Sequence, residues 1–250
     1  MAKKRKLKPK VKRTIIIIFL VLLAFLSAEI IEYIYESNKI YVPYESHKNN
    51  YYYAYDFGFL DKKSNYDFNT NGIDDYTEIL LGAKKLAIRN PKYVSKYYDG
   101  GYPPETEGVC TDAIQEAVDN AGYNLRDMID YDIINNRSDY PQVTIVDANI
   151  DYRRVSNQYT FFKKYLQSYS NDYEDVTEFN PGDILTFDDA DHIAMCSDKR
   201  NAKAIPYLIQ NRDETQTEKE EDRLEITDMT ITGHFRFTYN KKIEKIIKSL

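Results

Sequence analysis

The chain has 250 residues, 42% of them hydrophobic, with 24 Tyr and no Trp; this suits one well-buried domain with attachments and excludes two full domains or overall disorder. Its net charge is −6, yet the first thirteen residues hold eight Lys or Arg and no acid, so they carry +8 and the remainder carries −14. A body that acidic repels phosphate backbones, which argues against nucleic acid as a partner.

Residues 1–13 read as a basic cytoplasmic head, followed from Thr14 to Ala28 by fifteen uncharged residues, TIIIIFLVLLAFLSA. A basic run before an apolar stretch is an export signal with its start held in the cytoplasm. Cleavage after Ala28 or Ser27 would put bulky Leu26 or Phe25 at the outer recognition position, so the cleavage site is poor. Fifteen helical residues span ~22 Å against a ~30 Å hydrocarbon core, so an uncleaved anchor must recruit Ile30, Ile31, Tyr33, Ile34 and Tyr35. The expectation is a transmembrane anchor over 14–35 with an extracytoplasmic domain behind it; secretion after signal cleavage is the alternative.

Residues 36–66, rich in Tyr, Asn and Lys, read as a stalk or irregular lead-in. The segment 67–78 fits the twelve-residue calcium loop. Asp67, Asn69, Asn71, Asp75 and Glu78 offer oxygens at positions 1, 3, 5, 9 and 12, Ile73 offers its carbonyl at 7, and Gly72 stands at 6. Asp74 departs from the pattern where an apolar residue is usual, and no helix precedes the loop. A structural Ca2+ is one reading, and an Asn/Asp-rich turn capping the next helix is the other.

The domain proper is expected over 79–240. Ile79, Leu80, Ala83, Leu86 and Ala87 fall at helical spacing between Glu78 and Ile88. Gly100, Gly101, Pro103 and Pro104 then break the chain. Cys110, Ala113, Ile114, Ala117, Val118 and Ala121 make the stripe of a second helix, with Gly122 at its stop. A long polar stretch and an aromatic segment around Tyr159 to Tyr165 follow. Strands are expected at Ile184–Phe187, His192–Cys196, Tyr207–Gln210 and Thr230–Tyr239. Helices first and antiparallel strands later indicate an α+β fold. Residues 241–250 place Ile243, Ile246, Ile247 and Leu250 at helical spacing, a short amphipathic tail with a second membrane contact as the alternative.

A catalytic thiol needs a lowered pKa and an adjacent base. Cys110 opens its helix, where unpaired N–H groups and the helix dipole favour an anion, and Gly108 before it would allow close backbone approach. His192 opens a strand directly after Asp188, Asp189 and Asp191. On these residues alone a structural cysteine and a nucleophile both stand.

The segments GYPPETEGVCTDAIQEAVDNAGYNLRDMI, NIDYRRVSN, FNPGDILTF, DHIAMCSDK, YLIQN and ITGHFRF occur in this order between Glu78 and Tyr239. In this the sequence resembles a bacterial family catalogued as domain of unknown function 1287, which looks like a branch of the NlpC-type papain-like hydrolases. The resemblance implies a papain-like fold in which a helix presents Cys110, the nucleophile, to a small antiparallel sheet carrying His192, its base. The third residue, which orients the imidazole, corresponds to Gln210, where the family usually has His. An amide oxygen can still accept from the imidazole but carries no charge, so reduced activity is expected. The implied reaction is hydrolysis of an amide bond, with peptidoglycan peptide as substrate and no catalytic cofactor. The alternative is a catalytically weak wall-binding or regulatory module.

Arg153 and Arg154, beside Asp151, match a strongly worded family segment, and they suit either substrate carboxylates or an internal ion pair that holds a long loop. His234, in ITGHFRF, reads as a core histidine rather than a ligand. A catalytic Cys110 within ~4 Å of His192 leaves Cys196, ~13 Å along the same strand, too far away for a disulfide. The histidines lack zinc-like spacing, and the cysteines are not paired as CxxC.

Overall fold

The computed structural model describes residues 50–250. The basic head and the anchor expected at 14–35 lie outside the described residues; among those described, no helix is long and apolar enough to cross a membrane.

Helix α1 (Asp75–Arg89) starts where the Asp74 side chain accepts from the Thr77 N–H and stops at Asn90, which turns left-handed at φ 51°. It buries Ile79, Ala83 and Leu86 against α2 (Cys110–Asn120). The two helices approach closely because residue 82 is glycine: a Cβ there would lie 2.7 Å from Asn120 Cβ and 2.8 Å from Ala117 Cα. The stripe is buried from Ala113 to Ala121, with Cys110 half-buried at its head, and Gly122 turns the chain away at φ 89°. Two further helices, α3 (Leu125–Asn135) and α4 (Val155–Tyr165), complete the helical layer. Between α1 and α2 the chain forms a short parallel pair, β1 (Lys92–Tyr93) with β2 (Glu107–Gly108).

The second half forms one antiparallel sheet of six strands. These are β3 (Gln167–Ser168), β4 (Ile184–Phe187), β5 (His192–Arg200), β6 (Pro206–Ile209), β7 (Glu220–Glu221) and β8 (Ile231–Arg236). Their order is β3-β8-β4-β5-β6-β7. Alternation along β5 serves two cores. Ile193 and Met195 join Ile114, Phe162 and Phe235 beneath the helices. Ala194 and Cys196 join Phe179, Leu185, Phe187 and Leu208 on the other side. Fully burying a side chain such as Ile114 stabilises the fold by about 1.5–3 kcal/mol, so the helical layer and the sheet hold each other in place.

The described part of the lead-in is packed against the domain. Tyr52 exchanges backbone hydrogen bonds of 2.8 Å with Arg200, and the Lys62 N–H donates to Asn180 Oδ1 at 2.5 Å. The C-terminal helix α5 (Lys241–Ile247) buries Ile243 and Ile246 in the main core. The apolar face that a second membrane contact would need is therefore already used.

Candidate active site

Cys110 is the first residue of α2, and the motif around it is held from several directions. Asp112, two positions on, accepts from the Val109 N–H at 2.8 Å and so caps the turn that carries the cysteine. The Asp112 carboxylate is gripped by Arg153, Nε to Oδ1 at 2.7 Å and Nη2 to Oδ2 at 2.9 Å. Arg153 Nη1 donates to the Lys96 carbonyl at 2.8 Å, and its guanidinium lies 4.8 Å from the Tyr98 ring centre. Thr111 Oγ1 donates to the Arg153 carbonyl at 3.0 Å. The guanidinium of Arg153 is therefore spent inside the protein, on an ion pair with Asp112 rather than on a substrate. The chemistry of a buried fork explains this, because a carboxylate with two matched donors is the partner that best offsets its desolvation. The Arg154 side chain is 43% exposed and lies 3.8 Å from Asp151.

β6 ends at Ile209, opposite Met195, and the chain then turns away from β5. The Gln210 N–H donates to the Lys219 carbonyl, and Asn211 Nδ2 donates to the Gly108 carbonyl at 2.9 Å. Gly108 thus serves the site through its carbonyl, which also accepts from the Val94 N–H. With β6 gone, the Ile193 N–H points at the Cys110 sulfur, as do the N–H groups of Thr111 and of Cys110 itself. Ile193 follows His192 directly, so the helix start and the strand start meet at this sulfur.

His192 is 8% exposed, and its Nε2 lies 2.7 Å from Gln210 Oε1. An amide oxygen only accepts, so Nε2 carries the proton and Nδ1 keeps its lone pair. Burial lowers the imidazole below its ordinary pKa, while the Gln210 hydrogen bond pulls it partly back up. Burial also pushes the Cys110 thiol up to about 11, against the pull of the Ile193 N–H and with a further push from Asp112. The lowered thiol pKa expected from the helix start is thus overturned: the thiol and the imidazole both rest neutral. Cys110 is half-buried by surface area, yet protein atoms crowd the sulfur so that desolvation outweighs the helix terminus, and the nearby Asp112 charge is negative.

A cleft of about 580 Å³ opens between β1 and the segment 214–219; Cys110 and His192 do not line it, but β1 pairs with β2, which ends two residues before Cys110. Tyr93 lines it, and burial followed by the Cys110 charge raises its phenol. Asp112 and Asn211 stand inside the segments GVCTD and YLIQN, which signalled their presence but not their roles; Tyr93 has no such signal.

Both cysteines are free, and Cys196 is a buried core residue. His234 is enclosed, with Nδ1 2.6 Å from the Ser170 carbonyl and Nε2 2.9 Å from Asp183, which also holds Arg236.

In the loop 67–78, Asp67 accepts from the N–H groups of Asn71 and Gly72, and Asn71 Oδ1 accepts from the Ile73 N–H. The Asn69 and Asn71 amides both reach the buried Glu78 carboxylate. Asp75 does not join them. Its two oxygens accept from the Phe68 N–H and the Tyr123 hydroxyl, because the first turn of α1 faces the core there. Asp74 acts as the helix cap, which accounts for an acid where the loop pattern has an apolar residue. Among the described residues no three His, Cys, Asp or Glu side chains gather as a metal site.

Residues 80–237 match the family described as domain of unknown function (DUF1287). The chain is 29% identical over 154 residues to a protein of Escherichia coli (strain K12) named "Uncharacterized protein YijF", covering 59% of this chain and 73% of that one. No solved structure gives a significant match. The family match spans more than half of the chain, which therefore belongs to the DUF1287 family.

Proposed function

We propose that this chain is an exported, membrane-tethered cysteine hydrolase with a papain-like, NlpC-type site, cleaving an amide bond in peptidoglycan peptides. The observation that carries the reading is the meeting of Cys110, at a helix start, with the head of β5, where His192 is oriented by Gln210. In the proposed reaction the Cys110 sulfur attacks the amide carbonyl as its proton passes to His192 Nδ1. Backbone N–H groups at the start of α2 hold the developing oxyanion. The C–N bond breaks, the departing amine takes the proton from His192, and a thioester remains on Cys110. Water then attacks the thioester, giving its proton to His192, and the acid leaves as the thiol is restored. The wall substrate and the membrane location rest on the family resemblance and on the N-terminal sequence; secretion after cleavage is the alternative.

The high thiol pKa and the uncharged Gln210 favour a second reading, a catalytically weak binding or regulatory module on the same fold. Incubating the purified protein with wall fragments and following the products by mass spectrometry separates the two. New amide-cleavage products that vanish with Cys110→Ala support the hydrolase, and their absence supports the module.

We propose further that the loop 67–78 holds a structural calcium ion through Asp67, Asn69, Asn71, Glu78 and the Ile73 carbonyl, without Asp75. The Glu78 carboxylate is buried and meets only neutral amides, an arrangement that a cation would complete. Calorimetric titration is expected to show calcium-specific heat in the millimolar range or below; none there ends the idea.

A further inference from the structure

We propose that Lys219, with Lys92, forms a carboxylate-binding subsite in the cleft along β1, the strand paired with the one that leads into Cys110, so that the peptide recognised carries a free carboxylate. This rests on the hydrolase reading for its meaning and on the cleft's geometry for its chemistry. Lys219 lines the cleft yet is 2% exposed, and its ammonium has one hydrogen bond, to the Gln216 carbonyl at 3.4 Å. Among the described residues no carboxylate lies within ion-pair distance of it. An enclosed ammonium without a counter-charge is costly, and an incoming carboxylate removes that cost.

Two further observations tie this charge to the reacting centre. The Lys219 carbonyl accepts from the Gln210 N–H at 2.9 Å, so the lysine is fixed one strand away from the residue that orients His192. Lys92, also on the cleft wall, precedes Tyr93, which pairs with Gly108, two residues before Cys110. Glu214 is the one acid on this lining, against Lys92 and Lys219, while Asp213 and Glu221 act on it from outside. Burial lowers the Lys219 pKa, and the more distant Glu221 and Asp213 restore only part of it. Binding of a carboxylate is therefore expected to strengthen the lysine's own charge.

The carboxylate can be a side chain or a peptide C-terminus, and the probes separate these. In the full-length Cys110→Ala protein, amide NMR signals are followed during titration with acetyl-Ala-Glu-amide, acetyl-Ala-Ala and the neutral acetyl-Ala-Gln-amide. We expect one or both acidic peptides to shift the signals of Lys92, Tyr93, Thr217 and Lys219, binding about tenfold or more tightly than the neutral one. Lys219→Met should abolish that preference and Lys219→Arg should keep it; if Lys219→Met does not fold, Lys92→Met must weaken the preference. Equal binding of the neutral peptide, shifts elsewhere, no shifts at all, or a preference that survives Lys219→Met overturns the subsite. Carboxylate binding in a protein that cleaves no wall fragment would instead sink the hydrolase and leave the subsite standing, whereas cleavage without carboxylate preference would sink the subsite alone.

Discussion

Replacing Gln210 by Leu isolates the one contact that orients His192. The side chain is fully buried, its backbone N–H is fixed to Lys219, and its Nε2 has no protein partner, so its polar role runs through Oε1. Leu keeps roughly the volume and the burial and removes the acceptor, 2.7 Å from His192 Nε2, together with the unpartnered Nε2. A hydrogen bond to a group that becomes charged in the proposed reaction is worth about 1.5–3 kcal/mol, so kcat should fall by roughly 10- to 150-fold. The same bond favours the protonated imidazole, so its loss should also move the His192 titration further below the ordinary value. The assays are wall-peptide hydrolysis, read as kcat and KM, and NMR titration of the imidazole. Wild-type kcat together with an unmoved His192 titration would refute the orienting role.

Alkylation of Cys110 by iodoacetamide should be slow at pH 7 and climb through the alkaline range toward the thiol's pKa of about 11, with Cys196 unlabelled in the native protein. Fast, pH-independent labelling at neutral pH would show a resting thiolate instead. Arg153→Met strands the Asp112 carboxylate beneath the cysteine turn and should cost about 3–5 kcal/mol in urea unfolding, a loss that Asp112→Asn in the same chain partly restores. A loss under about 1 kcal/mol would mean that the pair contributes little. In the β4–β5 turn, Asp188, Asp189 and Ala190 are all left-handed, at φ 48°, 54° and 70°. Asp tolerates this region and Ala does not, so Ala190→Gly should stabilise by about 0.5–1 kcal/mol; destabilisation would speak against strain there.

Much of this site could be read from residue order. The stripe from Cys110 to Ala121, the stop at Gly122 and the strand Ile184–Phe187 follow from periodicity and turn chemistry, and the structure has them in those places. The His192–Gln210 contact followed from strand order within the resemblance. Helix α3 was hidden because Asp127, Asp130 and Asp132 interrupt its apolar residues Met128, Ile129 and Ile133, although Asn124 caps it. The partner of Arg153 was invisible, since Asp112 lies 41 positions away and Asp151 is the nearer acid in sequence. The direction of the Cys110 pKa was misjudged for a related reason: helix-start N–H groups show in a sequence, but desolvation of the sulfur does not. Lys219 sits in a run of charged and polar residues that reads as solvated surface, and only the folded chain shows it enclosed.

The joint action of sulfur and imidazole is tested most directly by wall-peptide hydrolysis rates for Cys110→Ala, His192→Ala and the double variant. Each single change should remove nearly all hydrolysis, and the double change should remove no more, as for groups that act as a unit. Wild-type rates in His192→Ala, or two losses that simply multiply, would show that the pair does not work together.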